Sequence, residues 1–361
     1  MYRAGLRDLK ITYVSKPKWY FRNAEETLRE IVEAYIGLFG PRRFLTAFSS
    51  PIFFDALAAS AYLDELGGGA TSVIAVILKN NIRPEAGLAV LGGKQPISYR
   101  VPEELERAGE LLGLSKGEVE RLKYSSRMVA KVDSAAIQDG FKLYIHVMLI
   151  SEGAEWSVVQ QAIRPMTNIV RRYHWASRKV RSFIEEPHSG IVSEERRKIV
   201  LDMTSRRSEE SRKACVEAVN HDLRGLKRFS TSTPPGQLTL LDFGEAAKKP
   251  GDEVLTVPRI KWSTITRIHR MAPRDFEELL SIQGVGPATV RFLAYACMSL
   301  YEVRPSLSDP AALFSEVRCT GEDRHYLEEL AEAIGSSSLP EEKKRRSLSR
   351  VSSLLSHAEP S

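Results

Sequence analysis

Three of the seven histidines, His146, His174 and His188, fall in one stretch of the chain together with Asp133, Asp139, Glu185 and Glu186. Interleaved carboxylates and imidazoles suit a divalent-metal hydrolytic centre. Hard cations such as Mg²⁺ or Mn²⁺ take carboxylate oxygens, and two of them can activate water and stabilise the leaving oxygen of a phosphodiester. On this expectation Asp133, Asp139 and Glu186 are metal ligands, and His188 is a base or a further ligand. His174 completes the candidate catalytic set, and Arg171 with Arg172 forms a phosphate clamp. The plainer reading is that charged residues on helices face solvent and that His146, inside an apolar strand, is a hydrogen-bonded core residue.

Those residues need a scaffold, and the apolar spacing outlines one. Leu28, Ile31, Val32, Tyr35 and Leu38 recur at helical intervals from Asn23 to Phe39, and Gly40-Pro41 stops the pattern. A second helix is expected after Pro51. Two more are expected over Val101 to Leu112 and Ser115 to Tyr124, the latter opened by the capping box Ser115-x-x-Glu118. Leu143 to Ile150 and Trp156 to Ile163 are β-rich runs separated by Ser151 to Glu155, which predicts a β-hairpin. Charged helix is expected from Ser193 to Phe229, and helix again from Thr256 to about Ile334. Gly92-Gly93-Lys94 lacks the spacing and the Ser/Thr of a P-loop and reads as an exposed turn, in which Lys94 and Arg100 could still touch phosphate.

Composition narrows the class. The chain has 361 residues, 43% of them hydrophobic, with a net charge of +6 and a pI near 9.1, which suits a polyanionic partner. Cys215, Cys297 and Cys319 form no metal or disulfide pattern, and no apolar run is long enough to span a bilayer. A cytoplasmic protein is expected, with no membrane partner.

Phe276 to Ile282, then Gln283-Gly284-Val285-Gly286, then Pro287 to Ala294, predict a helix, a tight hairpin and a second helix. This string resembles the helix-hairpin-helix module of DNA repair enzymes. Glycines let such a hairpin turn and approach a ligand, and backbone N–H groups at the second helix start point at a phosphate. Gly284, Val285, Gly286, Thr289 and Arg291 are therefore candidate DNA contacts, and the contact would be independent of sequence. In base-excision glycosylases similar to this module a Lys forms a Schiff base. Ala288 stands there in this chain, and Asp309 lies near where an assisting Asp would fall.

Between these regions runs Ser230 to Gly236, followed by Gln237-x-x-Leu240-x-x-Phe243. The latter resembles the peptide by which replication and repair proteins dock on the sliding clamp, PCNA. A 3₁₀ turn would put Leu240 and Phe243 into one apolar pocket and Gln237 into a polar one. Gly244 replaces the usual second aromatic. The organisation expected is an α+β domain with a hairpin-containing sheet (1–229), a Pro-rich linker (230–254), a small all-α helix-hairpin-helix domain (255–335) and a charged Ser-rich tail (336–361).

Val132 to Gly140, Trp156 to Gln161, Arg171 to Trp175 and Glu185 to Gly190 are similar to strings of a prokaryotic, largely archaeal family known as domain of unknown function 763. That resemblance implies homology and no particular reaction. Ile145 stands where a second His often follows the Tyr in that family, which argues against a metal site on paired histidines. Three functions are consistent with these features: a clamp-recruited, metal-dependent nuclease acting in DNA repair or processing, a monofunctional DNA glycosylase using Asp309, and a non-catalytic adaptor joining DNA to the clamp.

Overall fold

The computed structural model describes residues 16–232 and 256–355. The clamp-like segment Gln237, Leu240 and Phe243 lies outside them.

The first half begins with four helices, α1 (Lys18–Phe39), α2 (Pro41–Phe48), α3 (Pro51–Ser60) and α4 (Ala70–Asn81), followed by strand β1 (Leu88–Lys94). Two helices follow, α5 (Val101–Leu111) and α6 (Lys116–Lys131), and the Ser115–Glu118 capping box is formed in full. The last turn of α6 widens into a π turn over Val132–Ala136. Strands β2 (Ile137–Gln138), β3 (Lys142–Ser151), β4 (Trp156–Ile163), β5 (Val170–Ala176), β6 (Gly190–Ser193) and β7 (Leu201–Asp202) come next. Then come α7 (Glu209–His221), α8 (Leu223–Ser232), α9 (Trp262–Met271), α10 (Phe276–Ser281), α11 (Pro287–Tyr301), the short strand β8 (Ala312–Leu313), α12 (Gly321–Ser336) and α13 (Glu341–Leu355).

The expected hairpin is β3–β4, at the middle of a six-stranded sheet of order β1-β3-β4-β5-β6-β8, antiparallel except for the β6–β8 pair. Apart from β3 and β4 the strands were not legible, and two segments run against expectation. Gly92 and Gly93 are not an exposed turn but the end of β1, paired with Val147 and His146. Gly92 has φ +80°, and a Cβ there would sit 2.2 Å from the His146 carbonyl oxygen. Ser193 to Thr204 is strand and loop, and the helix expected from Ser193 begins only at Glu209.

Both faces of the sheet are covered. Ala89, Leu91, Met148, Ile150, Val158 and Trp175 pack on one side with α5–α7 and α9–α11, whereas Val90, Val147, Leu149 and Val159 pack on the other with α1–α4, α12 and α13. Period-two alternation along each strand divides neighbours between the two layers. The segment after 255 accordingly does not keep a core of its own. Ile265, Leu280 and Leu293 belong to the first layer, while Tyr326, Leu330 and Val351 belong to the second. The tail expected after Ser336 is largely helix α13, whose Ser347 is buried and donates to the Ser60 carbonyl.

Candidate functional site

The same alternation decides which of the expected site residues can meet. On β5, Arg171, Tyr173 and Trp175 face the α6 layer, and Arg172 and His174 face α3. Arg171 and Arg172 are 0% and 1% exposed, so they do not form a phosphate clamp. Arg172 pairs with Asp55 at 2.8 Å, lies 4.4 Å over the Phe54 ring and donates through Nε to His174 Nε2 at 2.8 Å. An imidazole nitrogen that accepts is unprotonated, so His174 is neutral. Burial first, and Arg172 second, hold its pKa well below the ordinary histidine range. His174 is a core residue on the wrong face of the sheet to join His188.

The α6 face carries a continuous polar network. The π turn at the end of α6 places Asp133 against the sheet, and such wide turns are frequent at functional sites. Asp133 Oδ2 accepts from Gln160 Nε2 at 2.5 Å and Trp175 Nε1 at 3.0 Å, and Oδ1 stands 2.6 Å from His188 Nε2. His188 packs against the Trp175 ring at 4.2 Å. Because the Gln160 amide donates to Asp133, its oxygen must accept from His146 Nδ1, 3.1 Å away. Burial lowers the His146 pKa against the smaller opposing pulls of Gln160 and Asp133 and so favours the neutral ring. In that form Nε2 accepts from the Ser126 hydroxyl at 3.0 Å. The expectation that it is a satisfied core histidine holds.

Beside this network, Asp139 Oδ2 accepts from Tyr173 at 2.5 Å and from Arg171 at 2.8 Å, while Oδ1 accepts from the Phe141 N–H. Burial raises the Asp139 pKa, with Arg171 and Tyr173 pulling the other way. Arg171 also reaches Asp309 at 2.6 Å, and Asp309 further accepts from the backbone N–H groups of Arg197 and Ala311. Its side chain is 2% exposed. Asp309 therefore closes a buried ion network, and that occupation leaves it no face toward a sugar.

Glu186 takes no part in either network. It is about half exposed, at φ +43°, and pairs with Arg206 at 3.2 Å. It lines a cleft of about 1020 Å³ bounded by the 178–186 loop, α7 and the start of α10, with Arg181, Arg206, Arg212 and Lys213 among its walls. Asp133, Asp139 and Glu186 thus do not converge, and among the described residues no three His, Cys, Asp or Glu side chains are grouped to hold a metal ion. The physical reason is that Asp133 and Asp139 use their oxygens on protein donors, so neither fits a Mg²⁺ or Mn²⁺ shell as it stands.

The hairpin after α10 is formed. Gly284 is exposed at φ +90°, and α11 starts at Pro287 with no side-chain cap. Val285 and Thr289 are buried, so their side chains pack inward and only backbone can be presented there. Arg291 donates to Gln138 Oε1 at 3.2 Å, and Gln138 donates to the Pro287 carbonyl at 2.9 Å. Lys94 is exposed at the end of β1. The residue that sequence reasoning missed is Lys131. Its ammonium donates to the carbonyls of Leu280, Ile282 and Val285 at 2.6, 2.8 and 3.3 Å. Burial, then Arg127, pulls its pKa down to about 8. Nothing local marks it, since a Lys at a helix C-terminus is ordinary.

The two buried imidazoles make stability acid-sensitive. Their folded pKa values lie below the unfolded value, so the unfolded chain binds more protons below about pH 6.5, and each lowers stability by at most about 1.4 kcal/mol per pH unit until its folded pKa is reached. Asp139 and Asp202, whose carboxyls burial pushes up, act in the opposite sense. Urea midpoints are expected to fall between pH 7 and pH 5, with a shallower fall in His174→Gln; equal slopes would show that His174 is not neutral in the fold.

Among the described residues no helix is long and apolar enough to cross a membrane. No curated protein and no solved structure matches the chain. A family model described as "Protein of unknown function (DUF763)" matches residues 5–324. With that match spanning most of its length, the chain belongs to the DUF763 family.

Proposed function

We propose that this protein binds DNA through the phosphate backbone at the α10–α11 hairpin, independently of base sequence, and that Gln237 to Phe243 tethers it to a sliding clamp. The observation that carries the reading is the hairpin itself: an exposed glycine at positive φ leads into an uncapped helix start. Orphan N–H groups at such a start suit a phosphate oxygen. Arg259, Lys261, Arg267 and Arg270, all exposed on or just before α9, add positive charge from the neighbouring helix. The clamp tether rests on its sequence pattern alone, and its effect would be to raise the local concentration of the DNA contact.

Fluorescence anisotropy on labelled duplexes of unrelated sequence tests this. Equal affinities are expected, with log K falling linearly in log salt concentration. Gly284→Val, which a β-branched residue at positive φ makes strained, is expected to weaken binding about tenfold while the far-ultraviolet spectrum is kept. Unchanged affinity in that variant would remove the hairpin from the interface.

A second reading, DNA cleavage, rests on the Asp133–His188 pair, in which a carboxylate orients an imidazole as in general-base sites. Its metal-dependent form requires Asp133 or Asp139 to release present partners, so it ranks below binding. A cleavage screen over branched, damaged and single-stranded DNA, with and without Mg²⁺ or Mn²⁺, separates an enzyme from an adaptor.

A further inference from the structure

Three backbone carbonyls converge on one point beneath the hairpin. Those of Leu280, Ile282 and Val285 all accept from Lys131 Nζ, at 2.6, 2.8 and 3.3 Å. The first lies at the end of α10, where the last carbonyls have no helical donor left, and the others belong to the turn. A ring of carbonyl dipoles around a single positive centre is the arrangement that replaces the hydration shell of an alkali ion. Turning these oxygens inward also leaves Gln283 and Gly284 exposed on the outer side of the turn. Lys131 is the last residue of α6, directly before the π turn that carries Asp133, so the cation is delivered by a different part of the chain from the hairpin it holds.

We propose that the hairpin is a monovalent-cation cage whose resident ion is the Lys131 ammonium, and that Lys131 positions the hairpin for phosphate without needing a dissolved ion. The ammonium offers three tetrahedral N–H donors to three acceptors and is covalently tethered, so the cage is filled at any salt composition. Removing it leaves carbonyl oxygens turned toward one another, and a K⁺ ion can take the vacated centre. The proposal deepens the DNA-binding reading and rests on it for the role of the cage, but the cage can be measured without DNA.

The test compares the full-length protein with Lys131→Met in potassium chloride and in choline chloride at equal ionic strength, since choline is too large to enter. Thermal unfolding without DNA is read first. The wild-type midpoint should be the same in both salts, whereas that of Lys131→Met should fall in choline and recover by several degrees in K⁺, saturably. Hydrogen exchange at the amides of residues 283–286 should follow the same pattern. Duplex binding by Lys131→Met is then expected to be about tenfold weaker in choline and restored in K⁺ to within about twofold of wild type. If Lys131→Met does not fold, Lys131→Leu, which likewise removes the ammonium and offers no donor, takes its place with the same expectations. Equal midpoints of the variant in the two salts, or a K⁺ response in the wild type, overturn the cage. A K⁺-dependent midpoint in a variant whose wild type binds no DNA keeps the cage and removes the DNA-binding reading.

Discussion

Arg171→Met is expected to destabilise the protein by about 3–5 kcal/mol, as does loss of one member of a buried ion pair elsewhere. Arg171 is fully buried and is the cation shared by Asp139 and Asp309, both 2% exposed. Met fills much of the volume, so the loss would come from two carboxyls left without their cation in a low-dielectric core. The measurement is the urea midpoint with an unchanged slope. Adding Asp139→Asn and Asp309→Asn to the variant should recover most of the loss, because neutral amides carry no charge to desolvate. If the triple variant is as unstable as Arg171→Met, the penalty is one of packing and not of unpaired charge. The same experiment bears on glycosylase chemistry. Asp309→Asn alone should lower stability measurably, which would mark the carboxylate as part of the core.

Asp133→Ala is the second large effect, again about 3–5 kcal/mol, since it orphans the buried donors of Gln160, Trp175 and His188 at about 1–3 kcal/mol each, part of which relaxation recovers. Asp133→Asn keeps the shape and one accepting oxygen, and should lose about 1–2 kcal/mol. The order Ala below Asn below wild type in chemical denaturation, with near-ultraviolet tryptophan signals altered at Trp175, is the expected result. Equal stability of Ala and wild type would mean that the network is not formed. The comparison also governs any activity measurement. Loss of cleavage in Asp133→Ala can follow from unfolding alone, whereas loss in a folded Asp133→Asn with His188 in place speaks to chemistry.

Periodicity carried much of the local structure. The helix ending at Phe39, the Ser115 capping box, the β3–β4 hairpin and the α10–hairpin–α11 unit depend on neighbours a few residues apart, and the chain states those relations directly. The strings around Asp133, Arg171 and His188 pointed to the family for the same reason. Strand β5 was harder to read because buried Arg171, Arg172 and His174 interrupt its apolar pattern, and a polar residue is legible as core only when its partner is known.

Those partners are remote in sequence: Arg171 with Asp309, Arg172 with Asp55, Asp133 with His188, and Lys131 with three carbonyls of the hairpin. The order of residues states which side chains are available and many of the short elements they form. Packing of the whole chain turns Arg171 and Arg172 to opposite faces of a sheet, keeps Glu186 apart from Asp133 and Asp139, and divides residues 256–355 between two helical layers. Hydrogen bonding and charge pairing are satisfied across long loops, and a one-residue step along a strand reverses the direction of a side chain.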